Sequence, residues 1–284
     1  MMVKNQRVLR IQEVVLSYGF VIVLAVVFGF FALATPNFLT LGNLMGILHA
    51  AAPLLIIASG LALVVMMGKI DISVGSIAFL SSAIGVHLMV NLDVSPIISL
   101  LVTLATGSLL GMLNAFFIIV LRVNPLITTL STMITFRGVA LELTSSRVIS
   151  LPEEVRQLGN ASVGPVFVDV ILALALLVVI YVLHRRTVFG RHIMAIGNEE
   201  RTAQRLGVEV RRITFLSYIL SGFLASVGGV LSTLQVGAIT SYLGSGLEFT
   251  AIAVIVIGGV SLFGGSGSII PGVLLGVLTL EIIR

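Results

Sequence analysis

Long apolar runs, each close to the length of about 20 residues that a membrane-crossing helix needs, repeat along almost the whole chain. Short polar or glycine-rich breaks separate them. The pattern predicts spans at roughly Val14 to Ala34, Leu41 to Met67, Ile72 to Val90, Pro96 to Leu121 and Leu126 to Leu143. Further spans are predicted at Val166 to Leu183, Ile213 to Leu234, Phe249 to Leu262 and Ile269 to Ile283. Pro53 is a candidate kink in the second. Gly107, Gly111 and Asn114 lie in the fourth, and Ser221, Gly222, Gly228 and Gly229 are small residues suited to close helix packing in the seventh. Residues 144 to 164 and Gly237 to Gly246 are read as loops on one side of the membrane.

Composition sharpens this picture. Of 284 residues, 58% are hydrophobic and 10% charged, against about 25% charged in a soluble domain. The chain is therefore predicted to be all-α, a polytopic membrane protein of about nine spans forming one transmembrane domain over 1–284. There is no ten-residue alternation of the β-barrel kind. The absence of cysteine excludes disulfides, Cys-ligated zinc and iron–sulfur clusters. Lys4, Arg7 and Arg10 before an apolar run resemble a signal peptide, but the run is long and many spans follow, which favours an uncleaved first helix.

Charge sets the orientation. Arg185 to Arg212 is the one long polar segment, with seven of the sixteen Lys and Arg residues. Together with Lys4, Arg7, Arg10, Lys69 and Arg122 it places twelve of the sixteen on one side. Only Arg147 and Arg156 lie in the loops opposite. Basic loops stay cytoplasmic, so the N-terminus and the 185–212 loop are predicted inside. The charge speaks to topology rather than to nucleic acid. Within the loop, Gly197 to Gly207 reads as a short helix, with Asn198 as its cap, Glu199 and Glu200 at its positive end and Gly207 as its stop. Such a helix in a loop longer than topology requires suggests a docking surface for a cytoplasmic partner.

Two glycine-rich breaks carry the remaining signal. Gly68 to Gly75 sets Lys69 and Asp71 between apolar runs, where ionisable groups pair or face water. Read alone, this is either a tight interfacial turn or part of a transport pathway. Gly258 and Gly259, followed by Gly264, Gly265 and Gly267, form a second break in the other half of the chain, a pattern that can flank a translocation route. It lacks the lysine of a phosphate loop, so nucleotide binding is rejected. No catalytic constellation, metal-ligand spacing or cofactor site is visible. His49, His87, His184 and His192 are scattered, and Arg137 and Glu142 are off the spacing of a helical ion pair. No relay of intramembrane acids runs along the spans, so any pumping must draw its power from elsewhere.

These motifs resemble a known family. GKIDISVG at 68–75 resembles the GGIDLSVG signature of permease subunits in ribose-type ABC importers, which carry monosaccharides or autoinducer-2. TVFGRHIMAIGNEERTAQRLGVEV at 187–210 resembles their coupling loop, and GSGLEFTAIAVIVIGGVSLFGGSGSIIPG at 244–272 resembles their third conserved block. The resemblance implies a non-enzymatic permease, usually of ten spans, in a bacterial inner membrane. Its implied partners are a second permease subunit, a cytoplasmic ABC ATPase and a periplasmic or extracellular solute-binding protein. By position, it assigns Gly190, Arg191, Gly197, Ala203 and Gly207 to ATPase coupling; the residue reading adds Asn198, Glu199 and Glu200 at the helix start, with Arg201 and Arg205, four apart, on one helical face. It assigns Asp71, Ser73 and Gly75 to the signature turn, and Glu248, Gly258, Gly259, Gly264 and Gly265 to the third block; Gly68, which opens the turn, and Asn124, in the break before the fifth span, are further turn and pathway candidates. Lys69 and Thr202 depart from the family pattern, and a tenth helix would be expected beyond Arg284. The alternative reading is a stand-alone secondary carrier or channel for a small polar solute.

Overall fold

The computed structural model describes residues 19–284. The expectations for Lys4, Arg7, Arg10 and the start of the first span lie outside the described residues. Helices dominate: α1 (Gly19–Ala34), α2 (Leu41–Val65), α3 (Val74–Asn91), α4 (Pro96–Ile119), α5 (Pro125–Leu143), α6 (Glu153–Arg156), α7 (Val168–Arg186), α8 (Val188–Asn198), α9 (Glu200–Arg205), α10 (Val210–Val236), α11 (Leu247–Ile257) and α12 (Leu274–Ile283). Among these, α2, α3, α4, α5, α7 and α10 are the six long and apolar enough to cross a membrane, and α1, α11 and the stretch Ile269–Ile283 are shorter apolar helices. The chain is a multi-pass helical membrane protein.

Thr40 starts α2 by accepting a hydrogen bond from the Asn43 N–H at 3.4 Å. The helix then runs unbroken through Pro53, and every residue from Ala51 to Val65 is buried. Such all-round burial of an apolar helix places it at the centre of the bundle. Beside it runs α10, 27 residues long, in contact with α2, α3 and α4. The small residues seen in the sequence make these contacts close. A Cβ on Gly222 would strike the Gly107 carbonyl and lie 3.0 Å from the Gly111 backbone. One on Gly228 would meet Ile57 and the Pro53 carbonyl, and one on Gly229 the Ala78 carbonyl.

At the end of the bundle away from the basic loop, short segments tie the helices together. β1 (Ile149–Ser150) pairs antiparallel with β4 (Ala238–Ile239), and β2 (Ser162–Val163) with β3 (Val166–Phe167). Gln235 donates to the His49 carbonyl at 2.7 Å and to Asp169 Oδ2 at 2.5 Å, joining α10, α2 and α7. The His49 ring stacks on Phe167 with centroids 4.2 Å apart.

The third block departs from expectation. The apolar run predicts a full span over Phe249 to Leu262, yet α11 has 11 residues, about 16 Å at 1.5 Å per residue, half the hydrocarbon thickness of about 30 Å. The sequence predicts an external turn over the segment before it, Gly237 to Gly246, and Ala238–Ile239 does pair with the loop strand β1. The segment then runs inward from β4 until the Gly244 carbonyl lies against Gly75, the second residue of α3. The helix break after Gly258 has a packing reason, because Gly258 and Gly272 approach so closely that a Cβ on either would strike the other's carbonyl. The sequence showed apolar residues throughout, and apolarity alone does not tell half a crossing from a whole one.

Close backbone approach between α4 and α10 gives a direct test. Gly222→Ala should destabilise the purified protein by about 1–3 kcal/mol, the cost of overpacking a filled interface. Gly46→Ala, in α2 with nothing within 4 Å of the added methyl, should leave the thermal midpoint unchanged or raise it slightly. Equal midpoints for the two variants in detergent would remove the glycine contact as the reason for the packing.

Candidate functional site

The residues after α2 leave the helix by a tight turn. Gly68 has φ +71°, in the left-handed region that suits glycine, and its N–H donates to the Val65 carbonyl at 2.8 Å. The chain then folds back into the bundle, carrying Asp71 to Ser221 near the middle of α10. Asp71 is fully buried. Its Oδ1 accepts from the Ser73 N–H at 3.0 Å and the Ser73 hydroxyl at 2.6 Å, and its Oδ2 accepts from the Ser221 hydroxyl at 3.3 Å. Asn114 Nδ2 from α4 donates to Ser73 Oγ at 2.7 Å, and the Tyr218 hydroxyl donates to the Ile70 carbonyl at 3.1 Å. Five polar side chains from the turn, α4 and α10 thus share one buried node. Lys69 does not pair with Asp71; hydroxyls and a backbone N–H satisfy the carboxylate.

One turn away, three sequence motifs meet backbone to backbone. Gly265 N–H donates to the Met66 carbonyl at 2.9 Å, and Gly197 lies so close over that bond that a Cβ there would collide with both partners. A Cβ on Gly264 would lie 2.6 Å from the Gly68 nitrogen and 2.9 Å from the Gly197 carbonyl oxygen, and one on Gly265 would run into Asn198. Beside this junction Lys69 Nζ bonds Glu200 Oε2 at 2.9 Å, across 131 residues of sequence. The signature turn, the basic loop and the third block therefore form one contact. Gly75 belongs to its inner edge, since a Cβ there would meet the Gly244 carbonyl and Glu248 Oε2. Glu248 is buried in the first turn of α11, where the positive end of the helix dipole favours an acid.

The basic loop is built differently from the reading of its sequence. Gly197 to Gly207 is not one helix capped by Asn198. Asn198 ends α8, and Glu199 starts α9 by accepting from the Arg201 N–H at 3.3 Å. An acidic N-cap serves as well as an amide, so the sequence held both candidates one residue apart. Gly207, with φ +85°, does follow the end of α9. Ala203 is buried, while Arg191, Arg201 and Arg205 point to solvent. Gly190 sits against the His184 carbonyl with no room for a Cβ.

The junction leaves out other sequence candidates. Asn124 caps α5, accepting from the Leu126 N–H at 2.9 Å and the Ile127 N–H at 3.4 Å, and makes no other side-chain bond among the described residues. Gly258 packs on Gly272, and Gly259 faces Phe20. Sequence reasoning did not assign Ser221, Tyr218 or Asn114 to the node. A carboxamide within an apolar run was the available signal for Asn114. Arg137 was seen only as an unpaired charge within a span. It donates to the carbonyls of Leu243 and Ser241 at 3.3–3.4 Å, and its guanidinium lies 5.4 Å from the Phe79 ring centroid.

Known proteins share this chain's sequence over most of its length. Residues 43–284 match the family described as branched-chain amino acid transport system / permease component. The ribose import permease protein RbsC of Escherichia coli is 33% identical over 265 residues, covering 91% of this chain and 82% of that protein. An autoinducer 2 import system permease protein, LsrC of an Enterobacter species, is 36% identical over 257 residues, 89% of this chain and 73% of that protein. A probable ABC transporter permease protein of E. coli, YphD, is 34% identical over 268 residues, 93% of this chain and 80% of that protein. No solved structure matches the chain.

The node makes a stability prediction. Asp71→Ala leaves three buried donors without an acceptor, at about 1–3 kcal/mol each, and should sharply reduce the yield of folded protein. Asp71→Asn retains one acceptor oxygen and should insert normally with a lowered thermal midpoint. An alanine variant as stable as the parent would show that the donors find other partners and that the node does not hold the turn.

Proposed function

The chain belongs to the branched-chain amino acid transport system / permease component family, and from that premise we propose that it is the membrane permease of a binding-protein-dependent ABC importer. In this reading the whole chain, 1–284, is a single permease domain in a bacterial inner membrane. It carries a sugar or sugar-derived solute inward, working with a second permease subunit. A cytoplasmic ATPase docks on α8 and α9, and an external binding protein delivers the solute. The relatives named for ribose and autoinducer 2 import support this choice of solute.

The observation that carries the reading is the contact of the basic loop with the signature turn at Met66 to Lys69 and with the third block at Gly264 and Gly265. Movement of α8 by a partner would reach the signature turn and the third block through the backbone contacts of Gly197 with Met66, Gly264 and Gly265, without a flexible side chain between them. The exposed Arg191, Arg201 and Arg205 give that partner a basic surface on which acidic groups can dock. The node and the half-length α11 lie next to the same junction. A displacement of the loop therefore acts on irregular backbone inside the membrane, where a solute route has to open.

The test is ATP-driven uptake of D-ribose and autoinducer-2 into proteoliposomes that hold this chain with its co-purifying ATPase and binding protein. Uptake of neither, with the complex intact, would overturn the reading. Gly197→Val, which wedges the junction, should abolish uptake while the binding protein still docks. Glu200→Lys should weaken coupling more modestly, because Glu200 is half-exposed and pairs of that kind contribute about 0.2–1 kcal/mol. That corresponds to about a 1.5- to 5-fold fall in solute-stimulated ATPase, with recovery in the double variant Lys69→Glu, Glu200→Lys. A double variant no better than the singles would remove the ion pair from the coupling route.

A further inference from the structure

Between the last turns of α4 and the first half of α5 runs a groove of about 340 Å³ whose exposed surface is almost all carbon. Leu113, Phe117, Val123, Ile127 and Phe136 line it. Three hydroxyls also border it, and each is turned onto its own helix. Ser131 donates to the Ile127 carbonyl at 2.8 Å, Thr132 to that of Thr128 at 3.1 Å and Thr135 to that of Ser131 at 2.9 Å. Hydroxyls bonded back in this way offer no free donor outward. From Ile127 to Phe136 the groove follows α5 for about 14 Å at 1.5 Å per residue, close to one leaflet's share of a hydrocarbon core about 30 Å thick. Its length and its carbon lining fit an acyl chain.

The mouth of the groove is basic. Val123 lines it at the end of the bundle that carries the basic loop, and its N–H donates to the Phe117 carbonyl at 3.1 Å, folding the turn back on α4. Arg122 stands just before it, exposed, with φ +59°, in the left-handed region where glycine is the least strained residue. A second arginine comes from α10. Gly107 packs on Gly222 and Gly111 on Tyr218, so α4 and α10 run antiparallel. Near the same end, Ile118 and Ile119 share an apolar cluster with Tyr218 and Phe215. Arg122 follows Ile119 by three residues and the exposed Arg211 precedes Phe215 by four. The register therefore brings both arginines to one height, past the end of the apolar contact.

This positive charge has no answer within the protein. The three acids of the neighbouring loop are taken: Glu199 accepts from the Arg201 N–H, Glu200 pairs with Lys69, and Glu209 pairs with Arg212. Among the described residues, no carboxylate pairs with Arg122 or Arg211. Guanidinium groups bind phosphate through paired N–H donors, and arginines at the membrane end of a helix stand at the depth of lipid headgroups. We propose that the groove holds an acyl chain of an anionic phospholipid whose headgroup phosphate is bound by Arg122 and Arg211, in the leaflet nearest the basic loop. Such a lipid ties the turn before α5 to the start of α10. The site goes beyond the importer reading and is independent of the solute carried.

The cysteine-free chain admits a single bimane label at Ile134→Cys, 65% exposed on α5 beside the groove, or at Val179→Cys on the lipid-facing α7. The labelled full-length chain is reconstituted in phosphatidylcholine vesicles containing 20 mol% phosphatidylglycerol, with the acyl chains of one lipid or the other brominated to quench the label on contact. Per brominated molecule, phosphatidylglycerol should quench the label at 134 about tenfold more strongly than phosphatidylcholine, and the label at 179 equally. Arg122→Gln and Arg211→Gln should each cut the preference at 134 about fivefold. The same preference at both labels would mean ordinary boundary lipid. Quenching by neither lipid at 134 would mean that a second copy or another protein covers the groove. Either result overturns the proposal, as does a preference that survives both glutamine variants. Loss of the preference in 50 mM inorganic phosphate, but not in chloride of equal ionic strength, would assign the arginines to the free anion and overturn the lipid.

Discussion

Inside hydrocarbon, a backbone N–H or C=O without a partner costs several kcal/mol, so irregular chain is tolerated there only when protein surrounds it. This protein leaves regular helix within the bundle at residues 66–73 and again at 240–246, besides the break that follows Gly258, and the constraint dictates most of what surrounds the first two. The first is closed by its own turn, by Asp71 accepting the Ser73 N–H and by the Tyr218 hydroxyl reaching the Ile70 carbonyl. The second is held where Gly244 lies against Gly75 and where Arg137 reaches the Leu243 and Ser241 carbonyls. The two breaks shelter each other, and α2 and α10 stand beside them as continuous walls.

Backbone cannot be brought this near to backbone with side chains between. Each approach therefore uses glycine, at 68, 75, 197, 244, 264 and 265. The contact has little give, because no rotamer can absorb a shift and a displaced peptide group must carry its neighbour with it. The basic loop is tied to the membrane region by this stiff joint and only secondarily by charge, through Lys69 and Glu200. A half-exposed ion pair fixes register at small energetic gain. The glycines fix distance.

Local pattern and long-range geometry were legible to different degrees. The spans that became α2, α3, α4, α5, α7 and α10 were visible because burial of an apolar helix needs only a run of apolar residues, and that is a property of neighbours in sequence. The glycines at 222, 228 and 229 were legible as packing positions for the same reason. The short α11 was not, since its residues are as apolar as those of a full span and the stop at Gly258 comes from Gly272, across a turn. The motif residues Gly68, Gly197 and Gly265 could be marked one by one. Their meeting could not, because the bonds that join them span more than a hundred residues. Ser221 and Tyr218 carry no mark as isolated residues and acquire their role only from the turn folded against them.

The buried charges say how such a structure can move. Asp71 is met by hydroxyls and an amide, Arg137 by carbonyls and an aromatic ring, and Glu248 by the start of a helix. Among the described residues, none of the three pairs with an opposite charge. An ion pair tolerates some change of distance, because Coulomb attraction falls off slowly. Hydrogen bonds to neutral groups weaken steeply once length or angle is lost. Separating Asp71 from Ser73, or Arg137 from the 241–243 carbonyls, would strand a charge inside the bundle at a cost far above thermal energy. These groups therefore act as pins. Any large motion must carry the turn, α11 and their partners together as one body, and the slack has to lie where the glycine contacts end, at the outer faces of α5 and α7 and in the loop beyond Glu199.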